Sequence, residues 1–389
     1  MTINSEVSDI FYDIRSARDF EVPELIESLL KDKAFYKIAK PVVETFATWD
    51  GFTENLRNCK TVHDFQGFTV RPLLNKFVRD NTTTGLEAKK WSNIGDGNGR
   101  IFISNHRDIV LDAGFLNILL YEKGMNTTEI AIGDNLLIFP WITTFVRLNK
   151  SFIVKRSVSF RQMLETSTHL SNYIEDTIVN RNQSIWIAQR EGRTKDSDDK
   201  TQNNLLKMLT LFDGSHPKDA LEKLNITPVA ISYEYDPCDY LKAKEFQLKR
   251  DHADYKKSQA DDIENMVTGI RGFKGKVIFQ FGESINAQLK ETSSETDRSS
   301  LLTMAADMID REIYKNYQFF KNNYIAYDLM TNEKRFASKY SETEKQKFEE
   351  YVSSQVEKIN IEKKDIQFLR GKLIEMYGNT LKNYVETIA

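Results

Sequence analysis

Between Ile101 and Ser284 short runs of apolar residues alternate with longer amphipathic segments, and few folds accept that alternation. Runs of this length bounded by polar residues read as buried strands, and the segments between them read as helices. The expected strands are 101–104, 129–133, 152–155, 184–188, 227–233 and 276–281, with helices at 109–123, 159–181 and 259–269. On the middle helix Phe160, Met163, Leu164, Leu170, Ile174 and Ile178 fall on roughly one face. Strands that take turns with helices build an α/β domain, with a mixed, largely parallel central sheet flanked by helices.

Both flanks read differently. Residues 1–90 are expected to be helical, with Pro23 in the first turn of a segment from Glu21 to Leu30. The stretch from Asn81 to Gly99 reads as a polar, glycine-bearing connector. Its Gly95-Asp-Gly-Asn-Gly99 is no phosphate loop, because the glycines precede a strand instead of following one; it reads as a turn. Beyond about residue 295 strand signals stop, and Ser341-Glu-Thr-Glu344 forms a capping box before a stripe of Phe348, Val352, Val356 and Ile359. The division this implies is a helical region over 1–90, an α/β core over 91–290 and a helical region over 291–389.

Several classes of function drop out. A net charge of −3 supplies no basic field for nucleic acid, so any anion site must be local. Cys59 and Cys238 make neither a disulfide framework nor a metal-ligand spacing, and no metal cluster is legible. The first dozen residues do not read as a signal peptide. The most apolar window, Leu136 to Val146, is well short of the roughly 20 residues a spanning helix needs. These readings place the chain in the cytoplasm, free or resting on a membrane.

The best candidate for chemistry is Ile101-Phe-Ile-Ser-Asn-His-Arg-Asp-Ile-Val-Leu-Asp112. His106 stands where a strand gives way to a helix, the edge at which α/β sheets collect ligands. A neighbouring carboxylate would orient its ring for proton transfer. Asp112 is the favoured partner, and Asp108 is either a second candidate or the helix cap. His106-Arg-Asp108 also opens the protein-kinase catalytic loop, but Ala113 stands where that loop needs Asn. Three further strands end in functional-looking residues: Phe152–Arg156 in two cations, Trp186–Lys195 in a turn with Glu191, Gly192, Arg193 and Lys195, and Thr227–Ser232 entered through Pro228. Cations at the ends of parallel strands can converge on one anion. The remaining histidines, His63, His169, His216 and His252, lack such surroundings.

In this order the four blocks resemble the glycerolipid acyltransferase family, which includes glycerol-3-phosphate and lysophosphatidate acyltransferases. The resemblance covers about 130 residues of core and extends more loosely to Phe11–Asp19 and Met266–Glu283. Two features depart from the family pattern. Five residues separate His106 from Asp112 where the family has four, and Glu191-Gly-Arg-Thr194 replaces Glu-Gly-Thr-Arg.

The resemblance implies a fold of the glycerol-3-phosphate acyltransferase type. It also implies transfer of a fatty acyl group from a thioester, carried by coenzyme A or acyl carrier protein, to a hydroxyl of glycerol 3-phosphate or lysophosphatidate. His106 would be the general base, oriented by Asp112 or Asp108. Arg156 and Arg193, with Lys155 and Lys195, would hold the phosphate beside Glu191 and Gly192. No cofactor is required beyond the acyl donor. The expected location is peripheral, on the inner face of the cell membrane. Leu136–Ile142 with Phe145 and Val146 is then a core helix, a wall of an acyl channel or a membrane-dipping patch. Lys249-Arg250, Lys256-Lys257 and Arg271–Lys276 are candidates for touching anionic lipid. Rival readings are an acyltransferase for another lysolipid, such as an aminolipid, and a catalytically silent lipid- or carrier-binding protein of the same fold.

Overall fold

The computed structural model describes residues 9–388 apart from 96, 157 and 294, and the side chain of Phe160 lies outside what it describes. Seven strands form one sheet: β1 (Thr83–Lys89), β2 (Ile101–Ser104), β3 (Glu129–Gly133), β4 (Ser151–Val154), β5 (Ile185–Ala188), β6 (Thr227–Tyr233) and β7 (Gly275–Phe281). Their spatial order is β1-β7-β6-β2-β5-β3-β4. Every neighbouring pair is parallel except β6 with β7. The class is therefore the mixed, largely parallel sheet that the alternation demands, and the six expected strands lie within a residue of their places.

β1 is a correction, since it falls inside the stretch read as a connector and within the segment read as helical. Thr83-Thr-Gly-Leu-Glu-Ala-Lys89 has no apolar run to announce it, because it pairs only with β7 and none of its residues is fully buried. An edge strand of that kind carries a polar sequence. The central strand is its opposite. β2 is flanked by β5 and β6, and all four of its residues are buried, which is why it reads as a continuous apolar run.

Alternation along the strands divides the core into two layers. Phe102, Trp186, Val229 and Ile231 pack with the Leu111–Glu122 helix and with Ile26, Phe35, Leu56 and Phe65 of the N-terminal helices. Ile101, Ile103, Ile187 and Ala230 face Tyr173, Ile174, Leu206 and Ile309 on the other side. Positions 111–120 are all buried, so that helix is apolar around its circumference and shows no single stripe. A third cluster joins Ile325, Phe348, Val352, Leu369 and Leu373 of the C-terminal helices to Ala243. Ser341 and Glu344 close the capping box expected there, with Ser341 N donating to Glu344 Oε2 at 2.9 Å.

The helix expected over 159–181 runs as Phe160–Glu175 and ends in a wider turn at Asp176–Asn180. Leu170, Ile174 and Ile178 are buried, whereas Met163 and Leu164 are 49% and 67% exposed. The expected apolar face therefore holds only for the second half. The first half has no layer to pack against.

Candidate active site

His106 lies just past the carboxyl end of β2, and Asp112 sits in the first turn of the helix that follows. The Asp112 Oδ2 atom accepts from His106 Nδ1 at 2.8 Å, from Arg107 N at 2.6 Å and from Asp108 N at 3.0 Å. The chain loops back over the helix start, so five intervening residues still bring the two side chains together. Asp108 takes the other role: its Oδ1 accepts from Val110 N at 2.9 Å and Leu111 N at 2.8 Å, closing the turn that opens the helix. Burial, and then the charge of Asp112, raise the Asp108 pKa above the ordinary carboxylate value. With Nδ1–H donated to a carboxylate, Nε2 is the ring atom left for proton transfer.

The surroundings hold the imidazole in place. Its ring packs edge-on against Trp186 at 5.6 Å, and Trp186 Nε1 donates to Ser104 Oγ at 3.0 Å. Asn105 has a structural part. Its amide bonds both the N–H and the C=O of Ile231 at 2.8 Å, extending the β2–β6 ladder through a side chain at the point where the strand must end.

Sequence reasoning missed Arg107. Its guanidinium is buried and forms a forked pair with Asp199, at 2.5 and 3.2 Å. Thr194 Oγ1 and Tyr317 OH donate to the same carboxylate, each at 2.5 Å. Burial works against the charge on Arg107, but Asp199 outweighs it and the pKa rises above the usual arginine value. Lys242, also buried, pairs with Asp236 and donates to the Arg107 carbonyl at 3.4 Å. No local signal reveals these partners, because Asp199 lies 92 positions from Arg107.

The strand-end cations do not gather as a group of four. Lys155 pairs with Asp13, which also meets His169 Nε2 at 3.1 Å. Lys195 pairs with Glu245 at 3.2 Å, and burial lowers its pKa. Arg156 remains half-exposed and faces the exposed Glu191 across 3.4 Å. Arg193 turns inward: Nη2 donates to Asn265 at 2.8 Å, and Nη1 is buried without a hydrogen-bond partner. Gly192 between them has φ +69°, a left-handed turn that favours glycine. Behind Asp108, a Cβ on Gly269 would stand 2.0 Å from its Oδ2, so only glycine lets the Gln259–Arg271 helix approach so closely.

Elsewhere three cations of the basic stretches are held in ion pairs. Lys249 meets Glu245 at 2.8 Å, Arg250 meets Asp251 at 2.7 Å and Asp365 at 2.8 Å, Lys257 meets Asp262, and Lys274 is buried. The apolar stretch from Leu136 is not a core helix: its helical part, Pro140–Leu148, is half-buried apart from the buried Leu148 and the exposed Pro140, and Phe139 is exposed. Cys59 and Cys238 are buried free thiols. Among the described residues no three potential ligands cluster for a metal, and no helix is long and apolar enough to cross a membrane.

Residues 85–232 match the family model described as Acyltransferase. The chain is also similar to the crystal structure of the 1-acyl-sn-glycerophosphate (LPA) acyltransferase PlsC from Thermotoga maritima. That similarity has 12% identity and a TM-score of 0.36, over 78% of this chain and 100% of that one. No curated protein sequence matches. The matched segment, residues 85–232, holds His106, Asp112 and the four strand-end blocks, and the family it matches is the acyltransferase family those motifs resemble.

Proposed function

We propose that the protein transfers a fatty acyl group from an acyl thioester to a hydroxyl of glycerol 3-phosphate or lysophosphatidate. The observation that carries this reading is the His106–Asp112 pair at the end of β2, inside the matched segment. His106 Nε2 takes the proton of the acceptor hydroxyl as its oxygen attacks the thioester carbonyl. When the tetrahedral adduct collapses, the thiolate leaves and takes that proton back from the ring. Asp112 keeps the ring in the right tautomer and stabilises the imidazolium that forms. No protein nucleophile is needed.

Arg156 is the best-placed ligand for the acceptor's phosphate, because its guanidinium is half-exposed and its ion pair, across 3.4 Å, is with the exposed Glu191, while Asp134 takes its backbone N–H. A phosphate can replace the Glu191 carboxylate with a bidentate grip. Arg193 stands second, since Asn265 already holds one of its nitrogens. The donor is coenzyme A or acyl carrier protein. The half-buried apolar stretch with exposed Phe139 supports a site at the cytoplasmic membrane face. One observation favours a second reading, an acceptor without phosphate such as an aminolipid: Lys155, Arg156 and Lys195 each face an acid already.

The test is thiol release from palmitoyl-coenzyme A, and from palmitoyl-acyl carrier protein, with glycerol 3-phosphate and lysophosphatidate as separate acceptors. Release should depend on one acceptor and vanish in His106→Ala. Arg156→Ala should raise KM for the phosphorylated acceptor by about 10–100-fold. An unchanged KM there would move the reading to the phosphate-free acceptor. Silence with every pair would favour a binding protein.

A further inference from the structure

Asp112 uses one oxygen fully and the other not at all. Oδ2 takes three hydrogen bonds, while Oδ1 is buried and has no partner in hydrogen-bonding geometry. On the last residue of β6, the hydroxyl of Tyr233 is buried and equally unpartnered. The two lie close enough to couple. Burial first, and Asp112 as the foremost charge after it, raise the Tyr233 pKa well above the ordinary tyrosine value. A hydroxyl that keeps its proton is a donor, and a buried carboxylate oxygen without a partner is the acceptor it lacks.

We propose that Tyr233 is a positioning residue for the His106–Asp112 pair, its hydroxyl donating to Asp112 Oδ1 from the side opposite the histidine. The carboxylate is then held at both oxygens, by two backbone amides and the ring on one and by β6 on the other. This rests on the reading of His106 as the base, and it adds a group on a different strand that reaches the base only through Asp112. Asn105 makes the geometry firm, since its two bonds to Ile231 fix β6 against β2 two residues before Tyr233.

A donor on Oδ1 draws charge away from the bond that Oδ2 makes to the ring. Without it the carboxylate holds the imidazolium proton more strongly. The other charges facing the pair are Asp108 and Asp236, which also act on Tyr233. Arg193 acts on Asp108, Lys274 faces Asp108 and Asp236, and Lys242 is paired with Asp236. Tyr233→Phe leaves all of these in place and removes one hydroxyl.

The experiment follows the His106 imidazole by NMR, in full-length wild type and Tyr233→Phe, across pH 5–9. Its midpoint should move up by about 0.5–1 pH unit in the variant. The acid limb of the kcat profile should move with it, so that activity lost near neutrality returns at higher pH while KM for the acceptor stays the same. In the Asp112→Asn background, Tyr233→Phe should shift neither. An unmoved or lowered midpoint in a variant that melts like wild type overturns the proposal. The NMR result does not depend on turnover, so a chain with no acyl transfer would sink the proposed function and still decide the part played by Tyr233.

Discussion

Two carboxylates stand near His106, and replacing each one separates their roles. In Asp112→Asn the new amide has a preferred orientation. Two backbone N–H groups, of Arg107 and Asp108, point at the position of Oδ2. The amide must place its oxygen there, and its nitrogen then faces the Tyr233 hydroxyl, which can accept. The oxygen still receives Nδ1–H, so the productive tautomer survives and only the negative charge is lost. A hydrogen bond to a charged group is worth about 1.5–3 kcal/mol, and each 1.4 kcal/mol of barrier is about tenfold in rate. The expected loss in kcat is therefore about 10–150-fold. A variant that also lost the tautomer would fall by about 10⁴.

Asp108→Ala should behave in the opposite way. It removes the acceptor for two amides at the helix start and should cost about 0.5–2 kcal/mol of stability, with kcat within about threefold of wild type. Thiol release at saturating acceptor measures the first quantity and urea denaturation the second. The reasoning fails if Asp112→Asn keeps full activity, if it falls as far as a flipped tautomer would take it, or if Asp108→Ala is the more damaging change to kcat.

Two further predictions concern the support of the site. Asp239 accepts from Tyr351 OH at 2.6 Å, Gln355 Nε2 at 2.7 Å and Tyr377 OH at 2.9 Å, yet burial pushes its pKa up to about 7. Its folded pKa lies above the unfolded value near 3.9, so between about pH 4 and 7 the folded state holds the extra proton. Stability from this group therefore falls as pH rises, by up to about 1.4 kcal/mol per unit, and Asp239→Asn should remove that slope from urea melts taken between pH 4 and 8. Arg107→Met should destabilise by about 3–5 kcal/mol, because it strands the buried Asp199 carboxylate; Arg107→Met with Asp199→Asn should recover part of that loss in the same melts.

What was legible in the sequence follows from what is local. The strands β2 to β7 announce themselves because each buries apolar side chains, even β4 at the sheet's other edge, whereas β1 has no fully buried residue and can be written largely in Thr, Gly, Glu and Lys. His106 and Asp112 are one loop apart, so their partnership could be read from spacing. The cations could not be assigned that way. Lys155 and Lys195 look identical in sequence to phosphate ligands, and only the fold reveals Asp13 and Glu245 beside them, 142 and 50 positions away respectively. The same holds for Met163 and Leu164: helical periodicity marks a face, and says nothing of where the layer beneath that face stops.

The matched family segment ends at residue 232, but the groups that stabilise its site do not. Asp199 is held by Tyr317 and, through its carbonyl, by Tyr314, both on or just past the Arg298–Lys315 helix. The Arg107 carbonyl, next to His106, receives Lys242, which is neutralised by Asp236; Asp236 N in turn donates to Tyr377 OH at 3.1 Å on the last helix. Each link is buried, and a buried charge deprived of its partner costs several kcal/mol. The C-terminal helices thus act on the loop that carries His106 through a continuous polar chain. Removing the residues after 232 would leave Arg107 facing an Asp199 without its two tyrosines, and Lys242 and Asp236 would go with the deleted part. Through these contacts the residues beyond 232 are part of what keeps His106 and Asp112 in register.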